Sequence, residues 1–161
     1  PAREVTPATV TLLAGLSPSA AGDGWQAMHG ALRHPWEYID SLAAAQANLE
    51  LLDERVGLVG HTHVPKLFAM VQAGSEKLWR TVAFPQTHTI YRIPPHARVI
   101  FNPGSVGQPR DGLPLASYAI YDEDERVIEL HRVEFDVAYV QRKVRQAGYP
   151  EFLGKRLAAG R

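Results

Sequence analysis

The stretch VGLVGHTHVP, residues 56–65, decides how the rest of the sequence is interpreted. Its apolar start at residues 56–59 predicts a buried strand that stops at Gly60. His61 and His63 follow directly, with one residue between them. Because open α/β sheets bind ligands beyond the carboxyl ends of their strands, we expect both imidazoles in such a crevice. Neutral imidazole binds Zn, Fe, Mn and similar ions, so the pattern indicates a metal site.

A second stretch, upstream, has the same design. A predicted strand over residues 25–28 ends at His29. Apolar residues then recur at helical spacing over residues 40–53 and lead to the strand described above. A strand, a helix and a strand in this order form a crossover with parallel neighbouring strands. We therefore expect His29, His61 and His63 to share one crevice, the alternative being that they are ordinary structural or surface histidines.

The remaining sequence predicts one mixed α/β domain. A loop is expected over residues 16–24, between a short helix and the strand that ends at His29. Later strand-like stretches predict a meander followed by a hairpin, and therefore an antiparallel second part of the sheet. The other predicted elements are a helix at 7–14, strands at 66–72, 77–84, 88–93, 98–101, 115–121 and 127–135, a helix that starts after Asp136 with Val137, Val140 and Val144 facing the core, and a helix at 150–159.

Composition limits the chemistry. The chain has 161 residues, equal numbers of basic and acidic residues (17 each), 7 histidines and no cysteine. Without cysteine there is no disulfide, no thiolate ligand and no thiol nucleophile, so a metal must be held by imidazole and oxygen. A net charge of zero gives no reason to expect nucleic acid or an anionic membrane as a partner. No run approaches the ~20 apolar residues of a membrane span, and no signal peptide is recognisable, so a cytoplasmic location is expected.

The other histidines are weaker candidates for metal ligands. His88 and His131 lie in predicted strands and His96 lies beside prolines, so each is expected to be structural or exposed. His34 is an intermediate case, because it follows His29 closely.

The stretch NPGSVGQPR, residues 102–110, has too many turn residues for a core element and predicts a positioned loop. Its Arg110 and the earlier Arg33 are candidate substrate contacts, because a guanidinium binds oxyanions through its planar fork. For Arg110 the alternative is a solvated pair with Asp111.

Taken in order, HG at residues 29–30, GHTHVP at 60–65 and NPGSVGQPR at 102–110 resemble the C-terminal half of the calcineurin-like metallophosphoesterases. The small bacterial and archaeal phosphodiesterase or phosphatase group is the most similar. ASYAIYD at 116–122 is also similar to the strand that follows the loop in that group. The resemblance covers residues 25–131, and the combination of motifs is specific.

The resemblance implies an α/β/β/α sandwich with two divalent metal ions, of Mn, Fe, Zn, Ni or Co, between loops at the sheet edges. His29 and His61 would bind one ion and His63 the other. In that family a hydroxide held by the two ions attacks phosphorus. The expected substrates are small phosphoesters or a phosphoprotein, and nothing in the sequence indicates an oligomeric state.

The motifs that supply the family's aspartates, asparagine and acid histidine are absent from the sequence. We therefore expect residues 1–161 to be the C-terminal part of a single metallophosphoesterase domain, incomplete on the N-terminal side and trimmed before Pro1. No catalytic residue is identified, and the chain alone is expected to be inactive. The alternatives are a mononuclear three-histidine metal hydrolase and a binding module without catalytic activity.

Overall fold

The computed structural model describes residues 5–161, so the expectation about Pro1 lies outside the described residues. The helices are α1 (Pro7–Ala14), α2 (Leu42–Leu49), α3 (Val137–Gln146) and α4 (Glu151–Ala158). The strands are β1 (Ser19–Gly22), β2 (Trp25–Met28), β3 (Val56–Leu58), β4 (Lys66–Ala73), β5 (Glu76–Ala83), β6 (His88–Arg92), β7 (Ala97–Asn102), β8 (Ala116–Asp122) and β9 (Val127–Val133).

Within residues 5–161 the strands form two sheets. The larger has six strands in the order β1-β2-β3-β7-β4-β5, and the smaller has three in the order β6-β9-β8. Strands β2, β3 and β7 are parallel neighbours, whereas every other pairing is antiparallel. The carboxyl ends of the three parallel strands meet at one edge, where the histidine-containing loops begin.

The predicted crossover is confirmed. Strand β2 pairs in parallel with β3, and α2 connects them. Ser41 caps α2 by accepting a hydrogen bond from the backbone N–H of Ala44 at 3.3 Å. The buried Ala45 and Leu49 of α2 lie in one apolar cluster with Phe68 and Ile100 of the large sheet. Burial of this helix face fixes the two strand ends side by side.

The other face of the large sheet packs on the small sheet. Leu67, Val99 and Phe101 of the large sheet share a fully buried cluster with Ile128 and Leu130 of β9. Phe84 and Phe101 meet edge to face, with ring centroids 5.5 Å apart. Helix, sheet and sheet are therefore stacked as the expected sandwich requires, and the predicted mixed α/β class is confirmed.

Three details differ from the sequence-based expectations. Residues 19–22 form β1, not a loop, because β1 pairs with β2 as an edge hairpin that needs no apolar periodicity. The predicted meander is wrong, because β6 leaves the large sheet and pairs with β9. Helix α3 has no buried residue; its valines are half-buried, and the helix packs against α4, where Gly154 lies against Gln141. In the described part of the chain, no helix has the length and apolarity of a membrane span.

A buried ion pair joins the loop after β7 to the small sheet. Asp111 contacts Arg132 of β9, and their side chains are only 10% and 1% exposed. Arg132 also donates a hydrogen bond to the backbone carbonyl of Phe84 at 2.8 Å. Removing one partner of a buried pair leaves the other charge buried without a counter-ion or water.

Asp111→Asn is therefore expected to lower the free energy of unfolding by about 3 kcal/mol, because the Arg132 charge loses its counter-ion. Urea denaturation checks this value. The matched control is Glu151→Gln, which removes an exposed pair with Lys155 and should leave stability nearly unchanged. Equal effects of the two substitutions would contradict the structural role of the buried pair.

Candidate metal centre

The three predicted ligands lie together. His29, His61 and His63 line one open pocket of about 400 Å³. His29 follows β2, whereas His61 and His63 follow β3, so the parallel pairing of these strands delivers the imidazoles to the same edge. The sequence-based prediction of a shared crevice agrees with this arrangement.

Hydrogen bonds define which nitrogen of His61 faces its neighbour. Its Nε2 lies 3.3 Å from the carbonyl oxygen of Trp36, which only accepts, so Nε2 carries the proton. Its Nδ1 is then an acceptor, and it lies 3.2 Å from Nε2 of His29. Tyr38 stacks on the His61 ring with centroids 4.2 Å apart and planes inclined by 11°. These contacts direct the lone pair of His61 Nδ1 toward His29.

His63 is oriented by a different loop. Its Nδ1 donates a hydrogen bond of 2.8 Å to the carbonyl oxygen of Gln108, which leaves Nε2 as the unprotonated nitrogen. Burial lowers the pKa of His63 below 6.5, and the positive charge of Arg110 lowers it further, against the hydrogen bond to Gln108 that raises it. A neutral ring with one fixed N–H is the form that coordinates a metal.

Both histidines of the GHTH motif have left-handed backbones. The φ angles are 66° at His61 and 61° at His63, a conformation that non-glycine residues rarely adopt. Such a conformation costs of order 1–3 kcal/mol and persists only where the surroundings enforce it.

The carboxamide of Asn102 enforces this loop conformation. Asn102 ends β7 and is 2% exposed. Its Nδ2 donates to the carbonyl of Gly60 and, at 2.9 Å, to the hydroxyl of Thr62. Its Oδ1 accepts from the backbone N–H of Gly104 at 2.8 Å. One buried amide thus joins the GHTH loop to the NPGS loop.

Two glycines, Gly60 and Gly104, lie where the loops approach each other closely. The N–H of Gly60 donates to the carbonyl of His29 at 2.8 Å, and a Cβ on Gly60 would lie 3.3 Å from that oxygen. At Gly104, φ is +91° and a Cβ would lie 2.7 Å from Pro65. A side chain at Gly104 would therefore clash with Pro65, whereas one at Gly60 would require the His29 carbonyl to shift by a few tenths of an ångström.

The two arginines predicted to contact substrate lie in different settings. Arg33 does not line the histidine pocket; its guanidinium pairs with Glu37 through two contacts, and those hydrogen bonds lower the pKa of Glu37. Arg110 lies near His63: its N–H donates to the His63 carbonyl at 3.2 Å, and its side chain donates to Gln108 at 3.3 Å. It is not paired with Asp111, which binds Arg132 instead.

Two of the three histidines, His29 and His61, are spaced as ligands of one divalent ion. Two ligands of a tetrahedral ion with bonds of about 2.1 Å lie about 3.4 Å apart, and the 3.2 Å between His29 and His61 is close to this value. None of the residues that line this pocket in residues 5–161 is acidic. Two adjacent divalent ions repel each other and need bridging anions, so the described residues fit two ions only in part.

Sequence patterns do not indicate the groups that orient the ligands. The stretch NPGSVGQPR predicts only a turn role for Asn102, and the Trp36 carbonyl and the Tyr38 ring have no sequence signature. A usable signal exists for Asn102 alone: a short polar residue at the end of a buried strand beside a glycine turn is typical of a side chain that bonds the backbone.

Comparison with known structures identifies the class. A metallophosphoesterase from Sphaerobacter thermophilus superposes with a TM-score of 0.84 at 36% identity, over 99% of this chain and 65% of that one. A hypothetical protein from Pyrococcus horikoshii has the same fold, with a TM-score of 0.65 at 15% identity, over 94% of this chain and 54% of that one. This similarity supports the assignment of the chain to the metallophosphoesterase superfamily.

One curated relative is itself without an assigned role. An uncharacterized protein of Methanocaldococcus jannaschii is 41% identical over 103 residues, which are 64% of this chain and 38% of the relative. No family model matches the sequence. The chain thus spans less than half of the curated relative and about two thirds of the Sphaerobacter structure.

Arg110→Gln is expected to raise the pKa of His63 but to leave it below 6.5, because burial is the larger cause of the shift. The lowered pKa means that His63 stabilises the fold fully above pH 6.5 and that this contribution is lost as pH falls through the folded-state pKa. An NMR titration of the imidazole ring measures the pKa of His63. Arg33→Gln is the control and should leave His63 unchanged; no shift with Arg110→Gln would contradict the assignment.

Replacing His61 by glycine and by alanine separates backbone strain from side-chain loss. Both remove the imidazole, but only glycine relaxes at a φ of 66°. We expect His61→Gly to be more stable than His61→Ala by about 1 kcal/mol in urea denaturation. The same pair at Leu58, within β3, should show the opposite order, and a more stable alanine variant at His61 would contradict a left-handed loop.

Proposed function

We propose that the protein hydrolyses phosphoester bonds with divalent metal ions, and that His29, His61 and His63 are metal ligands in this reaction. The observation that carries the proposal is the convergence of three imidazoles, each held by a separate contact, in one pocket of a metallophosphoesterase fold. Bound ions would supply charge neutralisation on the phosphoryl oxygens and activation of water.

The roles of the chain's own residues follow from their contacts. His61 presents Nδ1 while the Trp36 carbonyl holds its Nε2 proton, and His63 presents Nε2 while Gln108 holds its Nδ1 proton. Arg110 adds positive charge beside His63, where an anionic substrate would approach. These residues bind and orient, and none of them is placed as a general acid.

The pocket's lack of acidic residues supports a site completed from outside the described residues. We propose that two ions bind once carboxylates from a further segment join the imidazoles. Substrates would be small phosphoesters or a phosphoprotein, and the reaction would be that of a phosphodiesterase or a phosphatase. The protein would act in the cytoplasm. The resemblance to the Sphaerobacter protein, of which this chain covers 65%, is consistent with such a segment.

Hydrolysis of bis-p-nitrophenyl phosphate with Mn²⁺ tests the proposal. A protein that includes the remaining segment should turn over, and His61→Gly should lower kcat/KM by at least about 10³-fold, because the ion loses a ligand that the transition state needs. The matched control, His96→Asn, removes an exposed histidine with a φ of 64° and should leave kcat/KM unchanged.

The 161-residue chain alone is expected to show no turnover. Robust turnover by this chain with one bound ion per molecule would favour a mononuclear three-histidine site instead. Absence of turnover in the longer protein, with metal bound, would favour a binding module. Either result would overturn the two-ion hydrolase.

A further inference from the structure

A second group of metal-binding side chains lies on the outward face of the small sheet. Glu129 and His131 are two residues apart on β9, so both side chains project from the same face. His88 of β6 pairs directly with His131 across the strands. Glu129 is diagonal to His88, within reach of a long side chain. The phosphoester hydrolase proposed above makes no use of these three residues.

Their ligand atoms converge on one point. Nε2 of His88 lies 2.8 Å and Nε2 of His131 lies 3.1 Å from the same carboxylate oxygen, Oε1 of Glu129. All three ligand atoms lie within 4.8 Å of one another. Since ligands of a tetrahedral ion lie about 3.4 Å apart, shifts of a few tenths of an ångström open the space for one ion.

The surroundings hold the imidazoles and leave an open side. The ring of Tyr118 stacks on His131 with centroids 5.0 Å apart and planes inclined by 14°. The side chains of His88, Glu129 and His131 are 49%, 37% and 26% exposed, so solvent reaches the group. Ile90 and Ile120, on either side of Glu129, are apolar. The arginine on this face of β6, Arg92, is paired with Glu125.

We propose that His88, Glu129 and His131 bind one zinc-class divalent cation through Nε2, Oε1 and Nε2. Two imidazoles and one carboxylate, with water in the fourth position, form a donor set that suits Zn²⁺. Unlike the pocket lined by His29, His61 and His63, this group contains its own anionic ligand. The juxtaposition depends on strand pairing, because residues 88 and 131 are far apart in sequence.

The test uses the chain with His61→Gly and His63→Gly, which remove competing ligands at positions where glycine suits the backbone. Calorimetric titration with Zn²⁺ should give one equivalent, and Co²⁺ should give the visible absorption of a tetrahedral complex. Adding Glu129→Gln or His131→Ala should weaken zinc binding more than about 100-fold, since even an outer partner of a metal ligand contributes about 10–100-fold. His96→Asn should leave the affinity unchanged.

Two results would overturn the proposal: no zinc binding by the double-glycine chain, or equal affinities with Glu129→Gln, His131→Ala and His96→Asn. Circular dichroism verifies that each variant is folded. If a variant unfolds, an NMR titration of the unsubstituted chain with Zn²⁺ tests the site instead. Zn²⁺ should shift the ring signals of His88 and His131 and leave the ring signals of His96 unchanged. Unshifted rings of His88 and His131 would likewise reject the site.

Discussion

The arrangement of the histidine pocket depends on the side-chain amide of Asn102. This group is buried, and a buried amide without partners costs about 1–3 kcal/mol. It is satisfied only when the Gly60 carbonyl, the Thr62 hydroxyl and the Gly104 N–H surround it. That arrangement fixes the GHTH loop against the NPGS loop. The left-handed conformations of His61 and His63 persist because a different backbone conformation would break the hydrogen bonds of this buried amide.

The protonation of the His63 imidazole depends on contacts of the same loops. The loop after β7 brings the Gln108 carbonyl to His63 and Arg110 close to it, while the buried pair of Asp111 with Arg132 anchors that loop to the small sheet. Burial and positive charge disfavour the imidazolium and lower the pKa of His63, which favours the neutral ring that coordinates metals. Sheet pairing, loop anchoring and ligand chemistry are therefore one connected system.

The sequence carried the information that is periodic or local. Helical spacing before β3 predicted α2 and the crossover, and with them the shared crevice of His29, His61 and His63. The sequence does not predict β1, because β1 is an exposed edge strand without apolar periodicity. Nor does it predict that β6 pairs with β9, because strand order is set by packing between distant segments. The valines of α3 follow a helical stripe, but they stay half-buried instead of entering the core. The strand positions of His88 and His131 predict structural or exposed residues, since only strand register brings them to Glu129.

We propose that the Asn102 amide holds His61 and His63 in position for metal, through its hydrogen bonds to Gly60 and Thr62. Broadening of imidazole NMR signals by Mn²⁺, compared between the unsubstituted chain and Asn102→Asp, examines this role, because aspartate keeps the acceptor for Gly104 but cannot donate to Gly60 or Thr62. We expect low Mn²⁺ concentrations to broaden the rings of His29, His61 and His63 in the unsubstituted chain, and the broadening of His61 and His63 to be lost in Asn102→Asp. Equal broadening of these rings in both proteins would contradict it.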